Sequence, residues 1–505
     1  MNKLQEIFKA WNIAFDPNNK QAELAAKRIE ICNSCDKKVV NIGIKRCSVC
    51  GCALKGKVFS PVVGACPEGK WDDIDKESFS KPKVMTDRPK DKSIFVQIAS
   101  YRDPQLLPTL DDLFDKATNP DDITVCIAWQ HSESDEWDNL DKYKDDSRVI
   151  IVDIPYQNSK GACWARNLIQ GHYGNQTYTL QLDSHHRFIE GWDEEIINMY
   201  EELREDGVEK PLLTGYISSF DPENDPEGRV QVPWWMTFDR FTPEGVVFFL
   251  PATIPDWENI TKPVPARFYS AHFAFTTGKF CLEVPHDPEF YFHGEEITIA
   301  VRAFTNGYDL YHPNKVIAWH EYTRKGRTKH WDDSKDWVKL NKFTHRKTRM
   351  LLNVDGEGNP EVQTSAFGLG NIRTLEDYER YAGIRFRDRG IQEHTKQNKF
   401  PPNPAVEDYE NSFFQKFKHC IDIHENSLPE KDYEFWVVAF HDEKGQDIYR
   451  EDCDKKEVDR LLAGAKNKDG WINIWREYNG PKPSRWVVWP YSTAKQWCKR
   501  IEGNL

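Results

Sequence analysis

Short apolar runs alternate with amphipathic segments through the middle of this 505-residue chain. The runs that predict buried strands are SIFVQIAS, ITVCIAWQ, RVIIVDIP and TYTLQLD. Between these runs, LLPTLDDLFDKA and CWARNLIQGHY have the spacing of apolar residues that is typical of amphipathic helices. Strands that alternate with helices in this way predict an α/β domain.

Changes in composition divide the rest of the chain. Residues 1–75 hold a predicted helix and a cysteine cluster, and the polar, proline-containing stretch 76–92 is a predicted linker. We assign residues 93–400 to the α/β domain, which ends with a predicted helix in TLEDYERYAG. Residues 401–505 form a predicted accessory α+β module after the proline-rich stretch KFPPNPAVEDYEN.

The accessory module is rich in tryptophan. Its predicted strands are EFWVVAFHD, GWINIWREY and SRWVVWPYS, and its predicted helices are KKEVDRLLAGA and TAKQWCKRI. Such strands fit either a packed accessory domain or a module with an exposed aromatic face.

The net charge of −13 argues against a protein that coats nucleic acid through charge alone. A basic stretch from Arg324 to Arg349 fits either a solvated helical face or a cradle for a diphosphate. The first residues predict a helix and lack the cleavage site of a signal peptide, and no apolar run approaches the length of a membrane span. We therefore expect a soluble, cytoplasmic protein without a membrane partner; the sequence leaves its oligomeric state open.

Six of the twelve cysteines cluster in the first region of the chain. The pairs Cys32–Cys35 and Cys47–Cys50 have the spacing of a tetrahedral structural zinc site, and Cys52 and Cys66 are further candidate ligands. A site closed by four thiolates leaves no position for substrate, so its predicted role is folding or docking. The alternative is a set of reduced cysteines without metal.

The stretch TLQLDSHHRFIEGWDEEI is the most informative part of the chain for chemistry. Asp183 and His185 directly follow a predicted strand, at the kind of strand end where open α/β sheets bind ligands. A carboxylate with imidazoles suits Mn²⁺, and His320, after another apolar run, is the predicted third ligand. Glu295 and Glu296 open a predicted helix, where they are either ordinary N-terminal charges or part of the site.

Together these motifs resemble the family of GlcNAc transferases that includes the cytoplasmic hydroxyproline-directed enzymes and, more distantly, the polypeptide GalNAc transferases. The matching stretches are IFVQIASYRD, KGACWARN, QLDSHHRFIEGWD, VPHDPEFYFHGEEITIAVRAFTNGYDLYHP, AWHEYTR and RTLEDYERYAGI. The resemblance implies a GT-A fold, a UDP-sugar donor with GlcNAc as the default sugar, and Mn²⁺ or Mg²⁺ as cofactor. It also implies transfer with retention of configuration.

The resemblance also implies roles for individual residues. It assigns Mn²⁺ to Asp183, His185 and His320, and the orientation of sugar hydroxyls to Glu295 or its neighbour Glu296. The residues that it implies for the nucleotide-sugar are Ser100, Tyr101, Arg102, Asp103, Arg166, Arg324 and Arg327. The two arginines that follow His320 would hold the leaving diphosphate.

The N-terminal cysteine region lies outside this resemblance and is similar to a small module of tailed-bacteriophage proteins. A viral origin would place the protein in the host cytoplasm and would add modified DNA bases to protein and glycan as acceptors. We therefore keep three alternatives open: a glycosyltransferase that acts on hydroxymethylated DNA bases, a binding protein that retains only the fold, and a metal hydrolase. The intact carboxylate–histidine set favours an enzyme, and a hydrolase usually brings a second metal-binding cluster.

Overall fold

The protein is described here by a computed structural model. The described residues are 10, 14, 19–41, 44–60, 62, 65–72, 75, 88–242, 244–323, 326–466, 469–480 and 482–505. They fall into two compact units, one within residues 1–85 together with 205–207, and one within 86–204 and 208–505. None of the described helices is long and apolar enough to cross a membrane.

The strands are β1 (Lys38–Asn41), β2 (Ile44–Cys47), β3 (Ile94–Tyr101), β4 (Ile123–His131), β5 (Val149–Pro155), β6 (Tyr178–Asp183), β7 (His186–Phe188), β8 (Pro211–Thr214), β9 (Trp234–Phe241), β10 (Val247–Thr253), β11 (Val264–Pro265), β12 (Phe273–Thr277), β13 (Asp309–His312), β14 (Ala318–His320), β15 (Ile384–Arg385), β16 (Gly390–Gln392), β17 (Phe413–His424), β18 (Tyr433–His441), β19 (Asp447–Arg450), β20 (Trp471–Asn479), β21 (Arg485–Ser492), β22 (Gln496–Trp497) and β23 (Ile501–Asn504).

The α-helices are α1 (Asn19–Ser34), α2 (Leu54–Lys57), α3 (Leu106–Asp115), α4 (Ala162–Gln170), α5 (Trp192–Glu205), α6 (Phe280–Glu283), α7 (Glu295–Thr305), α8 (His330–Asp333), α9 (Trp337–Leu352), α10 (Pro360–Gln363), α11 (Leu375–Ala382), α12 (Glu393–Lys396) and α13 (Lys455–Ala465). The four strands and four helices predicted for the α/β region are therefore present.

The largest sheet of the described residues has the strand order β11-β13-β8-β12-β6-β3-β4-β5. Its β6-β3-β4-β5 half is parallel, while β12 runs antiparallel to both of its neighbours. Alternate residues of β3 face opposite sides of this sheet. Val96 packs in one core with Leu110 of α3 and Ile196 of α5, and Phe95 packs in another with Ile169 of α4. Apolar residues on both faces thus produce a three-layer α/β domain.

A two-stranded antiparallel ribbon continues from the end of β6. It pairs β7 with β14 in the register that sets His186 opposite His320. The backbone N–H of Glu321 also donates to the carbonyl oxygen of His185 at 3.1 Å. The ribbon therefore brings a distant part of the chain against the strand end of the sheet.

The C-terminal residues form two further sheets in the same compact unit as the α/β domain. One has the order β15-β16-β17-β20, and in the other β18 and β21 are paired centrally. The predicted helix in TAKQWCKRI is wrong, because this segment forms β22 and β23. Trp497 is registered opposite Tyr491, and Ile501 opposite Val488, so pairing with β21 takes the place of helical hydrogen bonds.

The N-terminal unit has a small core of its own around a buried ion pair. The Arg28 and Asp75 side chains are fully buried, 2.6 Å apart, and the Arg28 guanidinium lies over the Trp71 ring. Arg28 also donates to the carbonyl oxygens of Val58 and Ser60. These bonds compensate for the removal of the charges from water and link α1 to the segment after α2.

Candidate active site

Asp183, His185 and His320 converge where β6 ends and the β7–β14 ribbon begins. All their ligand atoms lie within 4.8 Å of one another. Asp183 Oδ2 is 3.7 Å from His185 Nε2 and 3.5 Å from His320 Nε2. Ligand atoms in adjacent positions of an octahedral site with bonds near 2.1 Å lie about 3 Å apart, so a small contraction would let the three atoms share one ion.

The unpartnered nitrogens of the two histidines also fit a metal ion. Within the described part of the chain, His185 Nε2 and both ring nitrogens of His320 are buried without a hydrogen-bond partner. A buried polar atom normally has a partner, because its desolvation is costly. Burial lowers the pKa of His320 well below its usual value, which keeps the imidazole neutral, as a metal ligand must be. One carboxylate and two imidazoles form a donor set that suits Mn²⁺.

Asp103 lies behind His185 and fixes its ring. Asp103 Oδ2 is 2.7 Å from His185 Nδ1, and it accepts hydrogen bonds from the Ser184 hydroxyl at 2.7 Å and from Arg327 Nη1 at 2.9 Å. A carboxylate on Nδ1 orients a histidine so that Nε2 faces a metal. Burial raises the pKa of Asp103, but His185 and then Arg327 outweigh burial and hold the pKa well below its usual range.

Arg166 on α4 links the predicted metal carboxylate to the start of α7. Its Nη2 donates to Asp183 Oδ1 at 2.7 Å, and its Nη1 donates to Glu295 Oε1 at 2.6 Å. Burial raises the pKa of Glu295, but Arg166 and then His286 outweigh it and bring the pKa to about 2. Because Arg166 occupies only Oδ1 of Asp183, Oδ2 still faces the two histidines.

Gly294 allows α7 to begin at this position. Its φ of 116° favours glycine, and an added Cβ would lie 2.6 Å from the Thr348 hydroxyl. Glu296, the next carboxylate after Glu295, has different surroundings: its Oε2 accepts from the Tyr216 hydroxyl at 2.8 Å, and its Oε1 accepts from the Ala271 N–H at 3.0 Å. Burial raises the pKa of Glu296 to about 7, although these two bonds oppose the shift.

A cavity of about 150 Å³ opens beside these groups. Its lining residues are Ala99, Tyr101, Asp103, Gln130, Ser159, Gly161, Ala162, Arg166, Asp183, Ser184, His185, Tyr291, Phe292, Arg327, Thr328, Lys329, His330 and Trp331. Gly161 and Ala162 belong to the N-terminus of α4. A Cβ on Gly161 would lie 2.9 Å from the Tyr291 ring, so a larger residue would collide with this wall.

The segment from Gly326 to Asp333 covers one side of the cavity. His330 Nδ1 lies 2.8 Å from the Tyr291 hydroxyl, and its Nε2 lies 3.3 Å from the carbonyl oxygen of Ser159. The Tyr101 hydroxyl donates to Asp333 Oδ2 at 2.7 Å. These bonds hold the segment against the end of β3 and against the residues that precede α4 and α7.

Some of the residues predicted to bind the nucleotide-sugar line the cavity and others do not. Tyr101, Asp103, Arg166 and Arg327 line the cavity. Ser100 is buried and is not among the lining residues.

Arg102, in the same predicted segment, is not a lining residue either. Its guanidinium donates to Asp135 Oδ2 at 2.7 Å and to Asp333 Oδ2 at 2.9 Å. Arg324 lies outside the described residues.

Sequence reasoning missed several residues of the cavity wall. Lys329, His330 and Trp331 lie in the basic stretch whose two interpretations were a solvated helix and an anion cradle. Tyr291 and Phe292 lie in a motif that carried the family resemblance, just before the predicted glutamates. Their position in these motifs was the available signal, but their contacts depend on folding.

A second group of potential ligands consists of Cys163, His286 and Glu295, all buried. Glu295 already accepts two short bonds from Arg166. Both oxygens of Glu295 therefore meet the guanidinium, whereas Asp183 keeps Oδ2 for its two histidines, so this group does not fit a metal ion as well as the Asp183 group does.

Five of the six clustered cysteines line one small cavity in the N-terminal unit: Cys32, Cys35, Cys47, Cys50 and Cys66. Burial, and then the neighbouring Cys66, raise the pKa of Cys32 to about 11. Cys52 is not among the lining residues, and its Sγ contacts the carbonyl oxygen of Cys50. Among the described residues, these sulfur atoms do not form a group as tight as the Asp183 group.

Comparisons with known proteins identify one matching family. The sequence matches the family described as "GlcNAc: Glycosyltransferase (GlcNAc)" over residues 93–147 and 138–388, which together exceed half of the chain. No curated protein matches the sequence.

Similar solved structures have low identity to the chain. GalNAc-T7 with UDP, GalNAc and Mn²⁺ is 14% identical with a TM-score of 0.39, over 57% of this chain and 53% of that chain. S. aureus TarS 1–349 in complex with UDP-GlcNAc is 11% identical with a TM-score of 0.32, over 51% of this chain and 66% of that chain. The chain thus spans about half of the GalNAc-T7 chain.

Proposed function

The chain belongs to the GlcNAc glycosyltransferase family, and on that premise we propose that it transfers a sugar of the GlcNAc type from a UDP-sugar to a hydroxyl acceptor on a glycan or a protein. The observation that carries this proposal is the convergence of Asp183, His185 and His320 beside the cavity, which Asp183 and His185 line. The unpartnered nitrogens of the two histidines face the carboxylate there.

Asp183, His185 and His320 are the residues that would hold Mn²⁺. When bound, such an ion supplies Lewis-acid neutralisation of a leaving diphosphate. Asp103 orients His185 by binding Nδ1, which leaves Nε2 for the ion. Arg166 orients Asp183 by binding Oδ1, which leaves Oδ2 for the ion.

Other groups of the cavity fit a nucleoside diphosphate. Gly161 and Ala162 present the N-terminus of α4, which favours anions through its free N–H groups and its dipole. Arg327 and Lys329 line the same cavity and add positive charge on the side of the covering segment. Preorganised positive groups of this kind stabilise the charge that develops on a departing phosphate.

The segment from Gly326 to Asp333 excludes water from this chemistry. Its bonds to Tyr101, Tyr291 and Ser159 support a closed arrangement over the cavity. Water that reached a cation-like anomeric carbon would hydrolyse the donor, so cover over the donor favours transfer to the acceptor.

The carboxylates support a retaining mechanism without a nucleophilic side chain. Among the described lining residues, the carboxylates are Asp103 and Asp183, and both are engaged by histidine and arginine. In this mechanism the leaving phosphate accepts the proton of the acceptor hydroxyl. Glu295 then acts as a positioning residue for Arg166. Glu296 accepts bonds from Tyr216 and Ala271, and neither glutamate is among the lining residues of the cavity.

We also propose that the N-terminal unit binds a structural zinc ion. The five thiols that line one cavity are the candidate ligands, and the position of Cys52 outside that cavity makes it the weakest of the original six. Tetrahedral zinc would use four of these thiols and leave no position for substrate.

The test of the enzyme proposal is turnover of UDP-GlcNAc by the full-length protein. UDP release is measured with MnCl₂ and with EDTA, for the wild type, for His320→Ala and for His172→Ala. His172 is an exposed histidine just after the C-terminus of α4, and is the matched control. We expect manganese-dependent release that falls about 100-fold or more in His320→Ala and is unchanged in His172→Ala. Metal-independent release, or equal release by both variants, contradicts the proposal.

A further inference from the structure

A line of aromatic side chains, most of them exposed, leaves the cavity and crosses onto the C-terminal sheets. It begins at Trp331 and Phe292, which both line the cavity and whose rings lie 5.8 Å apart. His293 follows Phe292 in the chain, and its ring meets the Phe248 ring of β10 at 5.8 Å. Phe292 is 41% exposed and Phe248 is 37% exposed.

Arg240 of β9 continues the line to the next sheet. Its guanidinium carbon lies 4.4 Å from the Phe248 ring centre and 5.5 Å from the Trp475 ring centre. Lys418 of β17 also approaches the Trp475 ring, and its ammonium donates to Asp239 Oδ1 at 2.7 Å. Trp475 therefore stands at the junction of the α/β domain and the C-terminal sheet, with 49% of its surface exposed.

The line ends along β20. Trp471 and Trp475 lie on the same exposed face of this strand, and Trp471 is 48% exposed. Four residues of a strand span about 13 Å. Between the two indoles, Asn473 donates to Asp422 Oδ1 of β17 at 2.6 Å, which places an amide and a carboxylate between two aromatic faces.

We infer that Trp331, Phe292, Phe248, Arg240, Trp475 and Trp471 form an acceptor track that binds an extended oligosaccharide whose end reaches the cavity. The inference rests on the proposed glycosyltransferase function. A sugar ring has an apolar C–H face and a rim of hydroxyl groups. The aromatic faces match the first part, and the amide and carboxylate between Trp471 and Trp475 match the second. The continuity of the track with the cavity explains why these aromatic groups are exposed at this place.

Charge favours an oligosaccharide over single-stranded nucleic acid as the occupant. Proteins that bind single strands combine stacking aromatics with a positively charged groove. On this track, Arg240 and Lys418 both contact Asp239, and Asp422 adds a further negative charge. The net charge of the chain is −13, so a neutral chain of sugars meets less repulsion than a polyanion.

The test uses the full-length protein on a panel of immobilised mono- to octasaccharides, with Trp475→Ala as the variant. The matched control is Trp497→Ala, which removes an equally exposed tryptophan (46%) from the other C-terminal sheet. We expect the wild type and the control to bind the same longer chains. We expect Trp475→Ala to bind these chains about tenfold more weakly, because it loses the stacking of one aromatic ring on a sugar.

Binding of UDP-GlcNAc in the presence of MnCl₂ is measured in parallel by calorimetry for all three proteins. If the wild type does not bind UDP-GlcNAc, the proposed function fails, whatever the panel shows. If UDP-GlcNAc is bound equally but no oligosaccharide is bound, or if Trp475→Ala binds oligosaccharides as well as the control, the track is refuted. Binding that an oligothymidylate or a peptide abolishes more strongly than a soluble oligosaccharide does also refutes it.

Discussion

Replacing Asp103 by asparagine removes a charge but keeps the shape of the side chain. In the wild type, Asp103 Oδ2 meets His185 Nδ1 at 2.7 Å, the Ser184 hydroxyl at 2.7 Å and Arg327 Nη1 at 2.9 Å. An amide can still accept a bond from Ser184, but it no longer supplies the negative charge that orients and polarises His185.

The expected loss follows from the bond to His185. A hydrogen bond to a charged group contributes about 1.5–3 kcal/mol. Loss of a carboxylate behind a metal-ligating histidine typically weakens metal binding by about 10- to 100-fold, which agrees with that range. We therefore expect Asp103→Asn to raise the dissociation constant for Mn²⁺ by about 10- to 100-fold, because Asp103 orients His185, one of the three proposed ligands.

The assay is calorimetric titration of the full-length protein with MnCl₂, together with thermal unfolding in EDTA. The matched control is Asp135→Asn. Asp135 also forms an ion pair with a largely buried arginine, Arg102, but it contacts none of the three proposed ligands. If Asp103→Asn binds Mn²⁺ within about threefold of the wild type while its folding is unchanged, Asp103 does not orient a metal ligand. An equal loss in Asp135→Asn would also refute the reasoning.

Three further predictions follow from the contacts of other residues. Arg166→Lys cannot reach both of its carboxylate partners, so we expect kcat for UDP release to fall about 100-fold, measured by steady-state kinetics at saturating Mn²⁺; an unchanged kcat would contradict the bridging role. The pKa of Glu296 is raised from 4.5 to about 7, so its contribution to stability is complete below pH 4.5 and is lost as the pH rises through 7. In urea unfolding, the free energy of unfolding of Glu296→Gln should therefore rise relative to that of the wild type by up to about 3 kcal/mol between pH 5 and pH 8. A difference between the two proteins that does not change with pH would exclude this linkage. Cys52→Ser should retain zinc in the purified protein whereas Cys32→Ser should lose it, as measured by elemental analysis, and the reverse pattern would exclude the proposed ligands.

Three of the predicted strands, β3, β4 and β6, are buried inside the large sheet. Their runs are apolar over nearly their whole length, which is the pattern of strands covered on both faces. The run in β5 was also predicted as a strand, but β5 is the half-buried edge strand of the sheet. The sequence also predicts both ends of helix α11, because Thr374 caps its start and Gly383 takes the left-handed conformation at its end. In these elements local signals and tertiary packing agree.

The segment TAKQWCKRI shows the limit of local pattern. Trp497 and Ile501 are four residues apart, which is a helical spacing, but both pair with residues of β21. Pairing with a preformed strand satisfies backbone groups as a helix does and also buries apolar side chains against the sheet. Tertiary context of this kind cannot be inferred from nine residues.

The sequence predicts which residues of the site lie together only where they are close in the chain. Asp183 and His185 follow one strand, so the strand end alone predicts their proximity. Asp103 lies far from His185 in the chain, and its role as the partner of Nδ1 depends on the fold. Sequence also could not separate Glu295 from Glu296. Neighbours on a helix point about 100° apart, so one meets Arg166 and the other meets Tyr216.

The most direct test of the proposed metal site is an anomalous diffraction map at the manganese edge, from crystals of the full-length protein grown with MnCl₂ and UDP-GlcNAc. We predict a peak about 2.2 Å from Asp183 Oδ2, His185 Nε2 and His320 Nε2, with the diphosphate on its open side. A donor that is bound without a manganese peak at these three atoms, or a peak at Cys163, His286 and Glu295 instead, would contradict the central claim.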